Sequence, residues 1–348
     1  MEAEYASASL DDPCKARVPY VCVYASQVAV CVGANKHKKP CEAVEAMWQR
    51  VDPNSFHAAL ARNGVRTEDQ NVMEIMSRVD GVRGLVDKSL TLPCESSTQV
   101  SSNFGDVTVE LGTVQNLEEE ERKLVEDVLK RNLYTTFGNM HEQAMLTYIQ
   151  DTLGIECAPD PTFYKKQIGT VKWGGAEVPW FVGGKIDAIN SSRTLVVEIK
   201  NRVNRLFHRV PFYEVVQVQS YLDLLDVEQG CLVECFRADP NPRAAKPDPK
   251  NDTAQNDTAQ TAQTAQLPTD LQVNIIPLRR NTKLWREDIL PKLQAFVEYV
   301  SMIVHDEKLQ DKYLQAKRRS VMVNTYVNNR LEEMASQAQN RPDADTRE

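Results

Sequence analysis

The sequence contains no long apolar run, and this absence limits the classes of protein to which it can belong. No stretch of its 348 residues approaches the roughly 20 consecutive apolar residues that a transmembrane helix needs. The N-terminal segment MEAEYASASLDDP is acidic and lacks the basic and then apolar order of a secretory signal. We therefore expect a soluble intracellular protein, in the cytoplasm or nucleus (of a host cell if it is viral), that is not secreted and has no membrane partner.

Cysteine pairs with metal-binding spacing are also missing. The eight cysteines form no CxxC motif, and the two nearest each other, Cys231 and Cys235, lie in the apolar segment CLVECF, which is typical of a strand. Reduced cysteines commonly act as small buried hydrophobic side chains. The spacing favours that role over a structural zinc site or an iron–sulfur cluster.

Positive charge is scarce, with 41 Lys and Arg residues against 49 Asp and Glu residues and a net charge of −8. This balance weighs against general nucleic-acid binding, which favours basic surfaces. Two segments are nonetheless basic, KNRVNRLFHR at 200–209 and LRRNTKLWR at 278–286. Taken alone, each is better explained as a solvated surface.

Large hydrophobic residues are absent from 237–266, where NDTAQ occurs twice and TAQ follows twice more. We predict a disordered low-complexity loop over about 239–268, because strand-like segments flank it. Residues 60–115 show weak periodicity and are predicted to be an insertion of uncertain structure. Flexible tails are expected at 1–18 and 336–348, around one α/β domain at 19–310 and a C-terminal helix at 311–335.

Hydrophobic periodicity predicts a mixed succession of helices and strands. Ser26 is expected to cap the first helix, and Gly33 to end it. Helices are predicted at 26–32, after Pro40, at 117–134, 138–153 and 212–225, and around 289–304. Strands are predicted at 163–172, 180–189, 194–200, 231–237 and 271–278.

The segment GGKIDAINSSRTLVVEIK, at 183–200, contains the strongest candidates for a functional site. Side chains alternate along a strand, so Glu198 and Lys200 share one face of TLVVEIK. If the turn has an even number of residues, two or four, Ile189 pairs with Thr194 and Asp187 lies on the face of Glu198. An odd turn would separate the two carboxylates.

Two neighbouring carboxylates repel each other unless something neutralises them. Mg²⁺ prefers oxygen ligands and commonly bridges carboxylates and phosphates, and a bound metal lowers the pKa of its water. A nearby lysine can orient that water or stabilise charge on the phosphate. By geometry alone, a cross-strand salt bridge on a solvated sheet edge explains these residues equally well.

Two helices add weaker signals. Glu142 shares a stripe with Met145, Leu146 and Ile149, and a third acid would complete a metal site. Gln217 lies in the apolar segment VVQVQSYLDLL. The ordinary explanations are an exposed glutamate and an amphipathic helix with polar interruptions.

Four ordered blocks, GNMHE, GGKIDAI, VVEIK and VVQVQSYLDLL, resemble the PD-(D/E)xK nuclease superfamily, and most closely its phage lambda exonuclease-like branch of viral recombination exonucleases. The segment VYASQVAVCVGANKHKKPCEAVEAMWQRV is similar to the opening of that branch. The resemblance covers roughly residues 20–305 with gaps. It implies an α/β, restriction-endonuclease-like core: a central mixed β-sheet flanked by helices, with a helical N-terminal part and insertions.

The resemblance also implies roles for individual residues. It implies that Mg²⁺, with Mn²⁺ as a substitute, is the cofactor, and the absence of cysteine after Cys235 argues against the iron–sulfur cluster of a related branch. The implied metal ligands are Glu142, Asp187, Glu198 and the backbone carbonyl of Ile199, with Lys200 and Gln217 as further catalytic residues. Contacts to DNA phosphates are expected from Ser26, Lys185, Arg202, Arg205 and Arg209.

Two departures from the family pattern stand out. Ile186 replaces the motif's proline, and Arg17 is not aligned with the arginine that precedes the serine in lambda-type members. The resemblance implies a metal-dependent deoxyribonuclease, an exonuclease on duplex ends in recombination, repair or viral DNA processing, with a homo-oligomer and a single-strand annealing protein as candidate partners. An endonuclease or single-strand nuclease with the same site, and a non-cleaving DNA-binding scaffold, remain alternatives.

Overall fold

The computed structural model describes residues 20–237 and 271–339. The tail predicted at 1–18 and the loop predicted at 239–268 lie outside these residues, as does 340–348. Residues 336–339, assigned to the C-terminal tail from the sequence, instead form the end of the last helix. Within the described residues, no helix is both long and apolar enough to span a bilayer.

The described residues form a mixed α/β structure, which confirms the predicted fold class. The strands are β1 (Val21–Tyr24), β2 (Ala158–Pro159), β3 (Tyr164–Trp173), β4 (Ala176–Gly184), β5 (Ala188–Ile189), β6 (Leu195–Arg202), β7 (Gln229–Arg237) and β8 (Leu271–Arg279). The helices are α1 (Ala25–Cys31), α2 (Pro40–Val51), α3 (Pro53–Asn63), α4 (Glu68–Arg78), α5 (Val82–Thr91), α6 (Ser97–Thr113), α7 (Glu119–Asp151), α8 (Phe212–Leu225), α9 (Leu290–His305), α10 (Glu307–Gln315) and α11 (Arg319–Gln339), with a π-helical turn at Leu284–Ile289.

The strands form two mixed sheets where we expected one central sheet. The first sheet has the order β1-β4-β3 and the second the order β2-β5-β6-β7-β8. β1 pairs with β4, and β6 with β7, in parallel, while the remaining pairs are antiparallel. After β2, the chain forms β3 and β4 of the first sheet, leaves that sheet at Gly184 and returns to the second sheet at Ala188, so residues 185–187 cross between the sheets.

Strand β6 is covered on both faces, which explains its apolar sequence. Val197 and Ile199 pack with Met145 of α7 in one apolar cluster. Val196, on the opposite face, packs with Val218 of α8 in another. The face toward α8 therefore also carries Glu198, Lys200 and Arg202, because side chains alternate along the strand.

The expected insertion at 60–115 is helical and forms part of a separate apolar core. Helices α4, α5 and α6 bury residues such as Ile75, Leu85 and Val107 against Leu129 and Leu133 of α7. Helices α4 and α5 are short, with 11 and 10 residues, and α6, although it has 17 residues, contains many Ser, Thr and Gly residues. The apolar stripe of each helix is therefore narrow or interrupted, which explains the weak periodicity of this segment.

Two predicted helix boundaries differ from the structure. The helices predicted at 117–134 and 138–153 are one continuous helix, α7, in which Phe137 is fully buried and Gly138 is internal. A Cβ at Gly138 would meet no atom within 4 Å, so packing does not require a glycine at this position of the helix. The single helix predicted at 311–335 is divided into α10 and α11 by a turn at residues 316–318.

Candidate active site

The β5–β6 hairpin brings Asp187 and Glu198 together, although its pairing differs from the prediction. Ile189 pairs with Val196, not with Thr194, and Ala188 pairs with Val197. Asp187 lies in the bend immediately before these paired residues, close enough to Glu198 for its negative charge to raise the pKa of that carboxyl group. The side chain of Asn190 accepts hydrogen bonds from the backbone N–H groups of Thr194 and Leu195, at 2.7 and 2.9 Å, and this polar turn fixes the register.

Asp187 is a half-buried carboxylate held by the neighbouring strand. Its Oδ2 accepts a hydrogen bond of 2.7 Å from the backbone N–H of Ile199. Burial raises the pKa of Asp187 to about 6, against the opposing effects of that N–H and of Lys200; the negative charge of Glu142 raises it further. Burial in the folded chain therefore disfavours the charged form of Asp187, and a neighbouring positive charge would stabilise that form.

Glu198 is the most deeply buried carboxylate of the site, with 3% of its side chain exposed. Its Oε1 accepts hydrogen bonds from Lys200 Nζ at 2.6 Å and from Gln217 Nε2 at 2.7 Å. Its Oε2 is buried and has no hydrogen-bond partner among the described residues. Burial raises the pKa of Glu198 to about 7, Lys200 opposes this, and the charge of Asp187 adds to it.

Lys200 and Gln217 complete a compact triangle with Glu198. Lys200 Nζ donates to Gln217 Oε1 at 3.2 Å, in addition to its bond with Glu198. Burial acts to lower the pKa of Lys200, but the surrounding carboxylates, led by Glu198, outweigh it and raise that pKa. Lys200 is therefore a cation at neutral pH, fixed by two acceptors.

Tyr221 belongs to the site and was missed as a site residue from the sequence. Gln217 Nε2 donates to the Tyr221 hydroxyl at 3.3 Å. The spacing of four residues on one helix was the available signal. Gly184 permits this approach, because a Cβ there would lie 3.0 Å from Tyr221 Cε1 and 3.2 Å from Ala25 Cβ.

Glu142 lies on the other side of β6 from α8, at the level of the carboxylate pair. Asn201 Nδ2 donates to the carbonyl of Gly138 at 2.9 Å, and Met145 packs with Val197, so Glu142 falls between these two anchors. Its charge contributes to the raised pKa of Asp187. Within 20–237 and 271–339, however, no three His, Cys, Asp or Glu side chains are arranged to hold a metal ion. The expected three-acid metal cluster is thus not formed among these residues, although the charge of Glu142 acts on Asp187.

Ser26 and Lys185, two of the residues expected to contact DNA phosphates, are exposed. Ser26 lies in the first turn of α1 and does not cap it, since the N-cap is Tyr24 and makes no side-chain capping bond. Ala25 lies against Gly184, which places the start of α1 beside the segment that leads to Asp187. Lys185 is exposed within that segment.

Arg202 is not a surface contact for DNA, in contrast to the prediction. Its guanidinium makes two hydrogen bonds of 2.7 Å to Glu214 and bonds of 2.6 and 2.9 Å to Glu234, with 10% of the side chain exposed. The alternation of β6 explains this, because Arg202 shares the α8-facing side with Glu198. Arg205 and Arg209, in the loop that follows, are exposed.

The oxygen atoms of this site fit a hard divalent cation. Asp187 and Glu198 offer carboxylate oxygens, and Ile199 between them offers a backbone carbonyl, which are the ligand types that Mg²⁺ prefers. Oε2 of Glu198 is buried and has no partner among the described residues, so it is available as a further oxygen ligand. Burial raises the pKa of both carboxyl groups, and a cation bound between them would stabilise their charged forms.

No family model and no curated protein matches this chain. Several solved structures match this chain. A phage-related exonuclease from Haemophilus somnus 129PT matches at 13% identity and a TM-score of 0.35, over 84% of this chain and 96% of that one. An alkaline exonuclease from Laribacter hongkongensis matches at 14% identity and a TM-score of 0.30, over 65% of this chain and 91% of that one. Its complex with dAMP matches at 15% identity and a TM-score of 0.29, over 66% and 90%.

The matched structures include exonucleases, the class of protein that the four motifs resemble. All of these TM-scores are below 0.5.

Proposed function

We propose that this protein is a metal-dependent deoxyribonuclease that hydrolyses DNA phosphodiester bonds, acting as an exonuclease on duplex ends. The observation that carries the proposal is the buried Glu198, whose Oε1 binds Lys200 and Gln217 while its Oε2 has no partner among the described residues. A solvated salt bridge would leave neither oxygen buried. An anion with a free oxygen beside a second carboxylate is suited to bind a cation.

Lys200 acts as a fixed hydrogen-bond donor next to the reacting phosphate. An ammonium group has three N–H donors, of which Glu198 and Gln217 occupy two. The third can orient the attacking water or a phosphate oxygen. Because its pKa is raised, Lys200 stays protonated and stabilises negative charge, and it does not remove the proton of the water.

Asp187, Glu198 and the carbonyl of Ile199 would hold the cation, and Glu142 would support it electrostatically. A divalent cation bound there supplies Lewis-acid polarisation of the phosphodiester and a lowered pKa for water. Gln217 keeps Glu198 and Lys200 in register, since it bonds both. Water adds to phosphorus, the P–O bond breaks, and the products are a phosphomonoester and a hydroxyl.

The test is a time course on end-labelled linear duplex DNA with Mg²⁺, Mn²⁺ or EDTA. We expect hydrolysis by the wild type with either metal, none with EDTA, and a loss of at least about 100-fold in Glu198→Gln, because an isosteric amide cannot bind the cation as an anion does. Glu177→Gln, which changes an exposed glutamate of β4, is the matched control and should cleave normally.

Two outcomes contradict the proposal. Equal degradation by wild type and Glu198→Gln would identify a contaminating nuclease. No degradation by wild type with either metal would favour a non-cleaving, nuclease-fold scaffold.

The substrates also separate exonuclease from endonuclease action. Covalently closed circular duplex should resist an exonuclease, and single-stranded circles test the single-strand alternative. Duplexes with a 5′-phosphate or a 5′-hydroxyl report end preference, to which Ser26 and Lys185 would contribute. A role in recombination, repair or viral DNA processing would involve a homo-oligomer and a single-strand annealing protein, which light scattering and co-purification would detect.

A further inference from the structure

A groove adjoins the candidate active site along the loop between β6 and α8. Its volume is about 950 Å³. It is formed by this loop, the first turn of α8, the ends of β7 and β8, and the turn after α1. The lining residues are Lys36, His37, Arg205, Leu206, Phe207, His208, Arg209, Val210, Pro211, Phe212, Tyr213, Val215, Phe236 and Gln272.

The groove is a local basic surface on an acidic protein. Three of its residues have basic side chains, Lys36, Arg205 and Arg209, and His37 and His208 add two imidazole rings. None of the described residues that line it is acidic, whereas the whole chain has a net charge of −8. Such a local reversal of charge is complementary to a polyanion.

Aromatic rings are exposed between these cations. Phe207 is 41% exposed and Phe212 is 54% exposed. Tyr213 stands edge-on to His37, with ring centroids 5.7 Å apart. Exposed aromatic faces interleaved with cations suit a ligand that has both flat bases and phosphates.

The loop is held in place by the buried ion pairs of Arg202. Glu234, bound to Arg202, also accepts the backbone N–H of His208 at 3.1 Å. His208 has φ of 56°, a left-handed conformation that requires such support in a residue other than glycine. The guanidinium of Arg202 lies 4.2 Å from the ring centroid of Phe207 and supports one face of that ring.

Helix α8 contributes residues both to the groove and to the candidate active site. Tyr213 and Gln217 are four residues apart and lie on one side of the helix. The bases of a duplex are paired and stacked on each other, so their faces are not available to side chains. An unpaired strand exposes both its bases and its phosphates.

We propose that this groove binds an unpaired polynucleotide strand next to the site of hydrolysis. Arg205, Arg209 and Lys36 contact its phosphates, and bases stack on Phe207 and Phe212. The role of this binding in catalysis rests on the proposed nuclease function, but the binding itself does not.

The test measures binding by fluorescence anisotropy in EDTA, so that no strand is cleaved. The probes are a labelled single-stranded oligothymidine, an abasic strand of equal length and a duplex. We expect the single strand to bind more tightly than the duplex, and Phe212→Ala to weaken single-strand binding about tenfold. Arg209→Ala should lower the slope of log Kd against log salt by about 0.7.

Matched variants separate stacking from general effects. Phe212→Trp retains an aromatic face and should bind like the wild type, which also shows that position 212 tolerates replacement. Tyr20→Ala removes an aromatic ring that is 46% exposed at the start of β1, and Arg83→Ala an exposed cation of α5; both should bind normally. The abasic strand should bind wild type and Phe212→Ala equally.

Two results would overturn the proposed strand binding. One is normal single-strand binding by Phe212→Ala, Phe207→Ala and Arg209→Ala. The other is tighter binding of duplex than of single strand by the wild type. If the wild type nevertheless hydrolyses DNA, the proposed function stands without it. If the variants lose binding and no DNA is hydrolysed, the groove stands and the nuclease function fails.

Discussion

At the scale of single residues, burial disfavours the charged forms of Asp187 and Glu198. The pKa of Asp187 rises from 3.8 to about 6, and that of Glu198 from 4.5 to about 7. In the absence of metal, the native state therefore keeps protons that the unfolded state releases between about pH 4 and 7. Stability must fall as the pH rises through that window, because the unfolded state binds fewer protons.

Asp187→Asn should relieve part of this conflict. We expect the variant in EDTA at pH 8 to unfold with a free energy up to about 3 kcal/mol larger than wild type, since each unit of pKa shift is worth about 1.4 kcal/mol. The difference should disappear near pH 4. Urea unfolding at both pH values measures it, with the exposed Asp69→Asn as control. A variant less stable than wild type at pH 8 would contradict the electrostatic account.

At the scale of elements, Arg202 fastens α8 and β7 to β6. Glu214 lies in the first turn of α8, one turn before Gln217, and Glu234 lies on β7 beside Lys200. The same ion pairs thus fix the helix that carries Gln217 and the loop that lines the groove. A guanidinium this deeply buried depends on both carboxylates.

Glu214→Gln should therefore be costly. We expect a loss of about 3–5 kcal/mol in the free energy of unfolding, because one partner of a buried pair is removed. The control is Glu110→Gln, whose pair with Lys88 at 2.5 Å is exposed, and which should cost no more than about 1 kcal/mol. Equal losses from the two variants, measured by urea unfolding, would show that the Arg202 network adds nothing to stability.

The elements also show which features the sequence could predict. Alternation along β6 predicted that Glu198 and Lys200 share a face, and the 2.6 Å hydrogen bond between their side chains agrees with that prediction. The exact pairing could not be predicted, because it depends on how the Asn190 side chain closes the turn. The burial of Arg202 could not be predicted from the sequence either.

Distance along the chain is the reason for these failures. Arg202 stands in a basic segment typical of a surface, and its partners lie 12 and 32 residues further on. Tyr221 was recognised as a neighbour of Gln217 on the helix, but its approach to the hairpin depends on Gly184, in a different strand. Local patterns predict faces of elements, whereas partners across elements require the fold.

At the scale of the whole molecule, a bound cation should stabilise the folded chain, because the unfolded chain does not hold the two carboxylates together. Ligand present at 100 times its Kd adds about 2.7 kcal/mol. We expect Mg²⁺ at pH 8 to raise the Tm of the wild type in a saturable way. The Tm of Glu198→Gln should respond weakly or not at all. Calorimetry measures both, and equal responses would place the cation elsewhere.

The continuous helix α7 has a consequence for attempts to shorten this protein. Val125, Leu129, Leu133 and Phe137 are fully buried under the helices α4–α6, and the same helix continues beneath β6. A deletion of residues 60–115 would expose this apolar stripe to water, at about 25 cal/mol for each Å² uncovered. A shortened protein must retain helices α4–α6, or the apolar residues of α7 that they cover must be replaced by polar ones. The segment 60–115 is thus part of the hydrophobic core and not a dispensable loop.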